Sequence, residues 1–436
     1  MTTRIIANLM MLMLLPFWLQ PSSAVAQPAN LSLTDAIGKT LERNYGIMVS
    51  KAETEIAGIN NSWGRAGRYP TIGADLSANQ SFGLSSDGVS ASQRFSPGVS
   101  LRWLLFDGFR VNMTKERLDL LEELSSGQSM VVIENTIEDV ILAYYEVLLQ
   151  KEKLAVYAEV LKLASDRYDY ELSRRDLGGS VTYNVLLAKN EFLTEKALMM
   201  SQEVAVRNSI RALNYLMTEE PEVIWNFTTP FEAVIEDYAI DDLISRVKES
   251  NQVLKNQYVS LSLKQADEKL ARSELFPSLS FSSGVSLPVS RASSSSITGP
   301  WSGSLTSTAG LTLSYDIFNG GVRRDAIRIA RISQEISETG LKQMEHALTN
   351  QIYGFYDLYQ VRKALLSVAG ENLEAASLNL EISDEKYRSG LINQFNYRDI
   401  QLIYQSVAIR RLEAIFSLIE SQTALTRITG GFLKAG

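Results

Sequence analysis

The chain of 436 residues has no cysteine and one histidine, His346. Without thiols there is no disulfide, no cysteine-based zinc site and no residue to carry a lipid at a processed N-terminus. With one imidazole, a Ser–His catalytic pair or a multi-histidine metal site has almost no material. Positive charge is also in deficit: 42 Lys and Arg stand against 50 Asp and Glu, a formal net charge of −8. That balance argues against nucleic acid as a partner, because such proteins carry a basic footprint. Beyond the first residues, no stretch approaches the ~18 consecutive apolar residues of a membrane helix. The glycine-rich "FNGGVRRD" at Phe318 lacks the spacing of a phosphate or dinucleotide loop and reads as a strand-to-helix turn. Neither an enzyme nor a cofactor is expected.

What is present begins with a targeting signal. Arg4, the short apolar run Ile5 to Leu19 and the small residues Ala24 to Ala26 read as a signal peptide over residues 1–26, cut before Gln27. An exported chain without an apolar helix is either soluble or a membrane β-barrel.

The rest is written twice. The segment from Leu33, "LTDAIGKTLERNYG", aligns without a gap with "IDDLISRVKESNQV" from Ile240, matching Asp35 with Asp242, Asn44 with Asn251, Arg65 with Arg272 and Pro70 with Pro277. Further on, Trp103 matches Tyr315, Phe106 matches Phe318, Gly108 matches Gly320 and Gly178 matches Gly390. Such self-similarity marks a tandem repeat. The expected halves are 27–225 and 226–436, each reading helix, strand, strand, very long helix, turn, long helix.

After each proline the period changes from helical to two. Ile72, Ala74 and Leu76 alternate with Gly73, Asp75 and Ser77; Leu279, Phe281 and Val285 alternate with Ser278, Ser280 and Gly284. Strands are expected at about 71–82 and 98–107, then at about 278–288 and 304–318, with Ser/Gly-rich surface loops between them. Ten-residue strands, apolar on one face and polar on the other with aromatics near one end, are the pattern of a membrane barrel around a wet lumen. Four strands cannot close one, since open edges in hydrocarbon leave backbone groups unpaired. Two copies would supply eight strands and three would supply twelve; the count alone does not choose.

Long helices are expected over about 109–176 and 181–218, and over about 321–389 and 393–429. At ~1.5 Å per residue the longer pair would each reach about 100 Å. Ile133, Ile137, Val140, Tyr144 and Val147, and likewise Leu366, Ala369, Leu373, Ala376 and Leu380, step by fours and threes as coiled-coil seams do. "LGGSVTYN" from Leu177 and "RSGLINQFN" from Arg388 supply the glycines that reverse each long helix.

Taken in order, the tandem repeat, the "RYP" and "LFP" junctions, the "FDG" and "FNGG" junctions and the tip "KYRSGLINQFNYRDIQ" resemble the outer-membrane efflux protein family, the TolC-like channels, over essentially the whole mature chain. The resemblance implies a mixed α+β membrane protein: a homotrimer with a 12-stranded outer-membrane β-barrel in lipid, continued by a periplasmic α-helical coiled-coil barrel. It implies a passive, gated duct without cofactor or metal, supplied by a periplasmic adaptor and an inner-membrane transporter of RND or ABC type, for efflux or type I secretion. By the same resemblance Tyr387 matches a tyrosine that links coils at the gate, and Asp399 matches a gate aspartate. Asn396 and Asn184 occupy positions that can carry acids, and Ile392 stands where an arginine is usual. Leu177, Gly178 and Gly179, with Arg388, Ser389, Gly390 and Leu391, become adaptor-docking tips; Trp103, Phe106, Tyr315 and Phe318 become membrane-interface aromatics. The competing reading is a structural coiled-coil envelope protein without transport, which leaves the paired hairpins without a purpose.

Overall fold

The computed structural model describes residues 29–85, 88–294 and 299–433. The expected signal over 1–26 lies outside them. The chain begins with β1 (Ala29–Leu31), α1 (Leu33–Arg43) and α2 (Tyr45–Asn60), followed by β2 (Thr71–Ser85) and β3 (Gly88–Phe106). Next come α3 (Arg110–Asp176), α4 (Thr182–Leu216) and β4 (Trp225–Phe227). The second half repeats this with α5 (Ile240–Ser250), α6 (Gln252–Ser273), β5 (Ser278–Ser286), β6 (Val289–Ser294), β7 (Ser302–Gly303) and β8 (Thr306–Ser314). It ends in α7 (Val322–Arg388) and α8 (Gln394–Ile428). Element lengths carry the duplication: α3 and α7 have 67 residues each, and α4 and α8 have 35 each. The first helix of each half is split in two at matched asparagines. The Asn44 side chain accepts from the backbone of Gly46 and Ile47, and Asn251 accepts from Leu254. Each thus caps a new helix start.

All the described strands but β1 and β4 form one antiparallel sheet, in which β3 pairs with β2 on one side and with β5 and β6 on the other, while β8 pairs with β5 and β7 with β6. The hairpins run further than the sequence pattern placed them. β2 has 15 residues and β3 has 19, so much of the Ser/Gly-rich stretch expected as loop is strand. Its hydroxyls lie on the polar face, where Ser81 and Ser92 bond at 2.7 Å. The strand expected over 278–288 stops at Ser286; Pro288, lacking an N–H, interrupts the ladder before β6. The strand expected over 304–318 ends at Ser314, because that residue faces Ser278, the first of β5. Tyr315 and Phe318 therefore sit in the connection to α7.

The turn into α3 needs glycine. Gly108 has φ +69°, and a Cβ there would lie 2.4 Å from the Ser273 carbonyl; backbone crowding of that order admits no side chain. Four long helices then form a layer in the order α4, α3, α8, α7. Ile137, Val140, Tyr144 and Val147 of the expected α3 seam are buried, as are Ala376 and Leu380 of α7. Around the middle, β1 and β4 pair in parallel and cover α3. Leu31, Ala36, Tyr144, Leu213 and Trp225 make one core there, and Leu243, Val247, Ile352, Tyr359 and Leu418 make its counterpart in the second half. The Tyr144 hydroxyl donates to the Leu31 carbonyl at 2.8 Å, and Tyr359 donates to that of Glu236 at 2.6 Å. Each phenol is thus satisfied while its ring is buried.

Candidate functional site

The far end of the helical layer, about 100 Å from the sheet along α3 and α7, gathers the candidate gate residues. Both helical hairpins turn the same way. Gly178 has φ +79° and Gly390 φ +76°. The amides of Gly179 and Leu391 bond back to the carbonyls of Arg174 and Lys386, at 2.7 and 2.8 Å, while those of Gly178 and Gly390 reach Arg175 and Tyr387. This pairing of bonds satisfies the last carbonyls of each long helix, and only a left-handed residue allows it. Leu177 and Leu391 project from these turns, 87% and 75% exposed.

Tyr387, in the last turn of α7, is buried beneath the tip. Its ring stacks on Tyr397 of α8 at 4.9 Å and meets the edge of Tyr170 of α3 at 5.7 Å. Its hydroxyl donates to Glu171 Oε1 of α3 at 2.5 Å. Burial, and then the bond to Glu171, push the phenol far above its ordinary pKa, so it keeps the proton it donates to Glu171. The other Glu171 oxygen accepts from Ser180, which also receives the Asn184 amide at 3.3 Å. The acid linking the two hairpins is thus Glu171, and Asn184 is an outer member of the same chain of bonds. Tyr397 donates to Asp384 at 2.8 Å and Tyr170 to the Arg388 carbonyl at 3.1 Å. Ile392 packs against this aromatic cluster.

A second link, of charged and amide side chains, lies one to two turns deeper. Arg167 of α3 donates to Glu191 of α4 and to Gln401 of α8, the latter at 2.7 Å. Arg398 of α8 meets the other Glu191 oxygen at 3.1 Å, and Gln405 donates to Glu195 at 3.2 Å. Burial pushes both glutamates upward in pKa; Arg167 and Arg398 oppose the shift at Glu191, and the Gln405 bond opposes it at Glu195. Asp399 is exposed and its side chain makes no bond or ion pair among the described residues, since neighbouring Arg398 turns to Glu191. Asn396 is exposed too; only its backbone is engaged, donating to Asn393.

Tyr387 and Asn184 therefore fall in one network, whereas Asp399 and Asn396 stand outside it. Glu171, Arg167 and Glu191 went unread in the sequence, although a signal existed. The buried residues of α3 continue as Val160, Ala164, Arg167 and Glu171; a seam step occupied by a charge demands a partner. At the sheet end, the Trp103 indole donates to the Arg68 carbonyl at 3.0 Å, Phe106 packs edge-on to Phe109, and Arg323 covers the Tyr315 ring. Phe318 is 87% exposed. Among the described residues no cluster of His, Asp or Glu is arranged to hold a metal, and no helix is long and apolar enough to cross a membrane.

An amphipathic antiparallel sheet continued by a layer of such long helices defines a class: the outer-membrane channel with a helical tunnel. The profile of the outer membrane efflux protein family matches residues 36–217 and 243–431, and the chain belongs to that family. It is a family of outer-membrane channels rather than of enzymes, and efflux across the outer membrane is its role. Solved channels share the fold. The outer-membrane channel OprN is 18% identical with a TM-score of 0.74, covering 92% of this chain and 90% of its own. CmeC of Campylobacter jejuni is 14% identical with a TM-score of 0.75, covering 92% and 85%. The open state of MtrE from Neisseria gonorrhoeae is 17% identical with a TM-score of 0.72, covering 91% and 88%. A comparison with curated protein sequences gives no match.

Proposed function

We propose that three copies of this chain close into a 12-stranded barrel and a helical tunnel, forming a passive, gated exit duct whose far tip lies in the periplasm. The observation that carries this reading is that the chain is open on both sides in both of its layers. The sheet ends in unpaired edges, β2 on one flank and β7 with β8 on the other, and backbone groups cannot stay unpaired in lipid. The helical layer ends in α4 and α7, which leave Leu186, Leu193 and Met200, and Leu358, Leu365 and Val368, exposed. Joining β8 to the next copy's β2, and α7 to its α4, satisfies all four. The repeats 27–225 and 226–436 then alternate around one bore.

At the tip, the Tyr387–Glu171 bond holds the α7–α8 hairpin against α3, and Asp399 supplies a ring of exposed carboxylates around the bore. The tips Leu177 to Gly179 and Arg388 to Leu391 offer exposed turns to a periplasmic adaptor, with an inner-membrane transporter of RND or ABC type beyond it. Conductance in planar bilayers tests the gate. Tyr387→Phe, which removes only the donor, is expected to raise the resting conductance several-fold, and Asp399→Ala is expected to abolish block by hexamminecobalt added on the tip side. Unchanged conductance together with unchanged block would overturn the gate assignment.

A further inference from the structure

The ladder of the sheet sorts its residues onto two faces. Partners across an antiparallel pair share a face, so Ile72 with Leu101, Ala74 with Val99, and Phe281 with Leu311 mark the apolar one. The opposite face carries Asp75 with Gly98, Asn79 with Arg94, and Thr71 with Arg102. The Ser100 hydroxyl, donating to Asp75 at 3.1 Å, fixes both on this side. The polar face is otherwise built of short hydroxyl and glycine positions such as Ser77, Ser96, Ser280, Ser282, Gly284 and Thr312. Among its described residues two arginines stand against a single acid, in a chain whose net charge is −8. Over the described strands, the charge of this face is thus opposite in sign to that of the whole chain.

Distance decides whether Asp75 cancels them. Arg94 and Arg102 each lie four residues along β3 from Gly98, the partner of Asp75, which is roughly 13 Å at the rise of a strand. That exceeds the screening length of about 8 Å at physiological salt, and neither arginine forms an ion pair among the described residues. Both are exposed, and they are the longest side chains on a face of serine and glycine.

We propose that Arg94 and Arg102 make the barrel lumen an anion-selective filter, two rings of guanidinium groups favouring anionic solutes at the exit. The inference rests on the barrel reading above and names the charge class its bore favours. It is tested with the purified channel in a planar bilayer under a KCl gradient, with inorganic tripolyphosphate added on the barrel side. Arg94→Ser with Arg102→Ser, each introducing the commonest residue of that face, is expected to shift the reversal potential toward that of K⁺ and to weaken tripolyphosphate block at least tenfold. Arg94→Lys with Arg102→Lys is expected to preserve both properties. Arg291→Ser, on the apolar face opposite Gln93, is expected to change neither. A reversal potential and a block that the serine variant leaves unchanged, with conductance intact, overturn the filter while the duct stands. A parent protein without conductance overturns both.

Discussion

Glu134 of α3 faces Arg427 of α8 and Lys255 of α6, yet burial outweighs both cations and pushes its carboxyl up to about 7. Its Oε1 is buried without a hydrogen-bond partner among the described residues. An acid whose pKa is raised by folding contributes stability while protonated and loses it as pH rises through the folded value. The window here runs from the ordinary 4.5 to about 7, and at ~1.4 kcal/mol per unit the loss is on the order of 3 kcal/mol. Glu134→Gln mimics the protonated form, so in detergent it should melt several degrees higher than the parent at pH 8 and at the same temperature at pH 4.5. A variant less stable at pH 8 would show that attraction to Arg427 and Lys255 outweighs burial. Legibility at this scale was uneven. Tyr387 was singled out by the family resemblance, with Gly390 fixing its register in the tip. Its partner Glu171 lies 216 residues away in an element whose packing against α7 no local pattern announces.

The buried face of α8 changes character along its length. From Leu412 through Ile415, Leu418, Leu425 and Ile428 it is mainly apolar, and its Ser421 and Thr423 hydroxyls bond back to helix carbonyls, but toward the tip it presents Gln394, Gln401 and Gln405 beside Tyr397. Both polar atoms of Gln394 and the Gln401 amide nitrogen are buried without hydrogen-bond partners among the described residues. Each such group costs about 1–3 kcal/mol, whereas each buried Leu or Ile above contributes a similar amount with the opposite sign. The end of α8 that carries the proposed gate is therefore its least stable part, as the proposal requires of an element that opens. Hydrogen exchange should find the amides of 394–405 opening at least tenfold more often than those of 412–428; uniform protection along α8 would contradict this. Helices were well read because a period of seven persists over many turns. The strands were misjudged because serine and glycine serve both as loop residues and as a lumen lining. Only pairing with a neighbour separates the two uses, and composition does not record it.

At the scale of the molecule, duplication supplies the geometry. Two copies of one unit lie side by side within the chain, β3 beside β5 and α3 beside α8, so each half shows how the next copy can join. The surfaces left over, β8 and α7 on one flank and β2 and α4 on the other, are the ones the internal joint uses. The tandem repeat was readable from matched residues across the halves, whereas the outward apolar stripes of α4 and α7 became identifiable only once α3 and α8 had been placed between them. The most direct measurement is the mass of the mature protein by native mass spectrometry after gentle release from detergent. Three chains per particle is the predicted result; a single chain, stable and soluble once detergent is removed, would contradict the account.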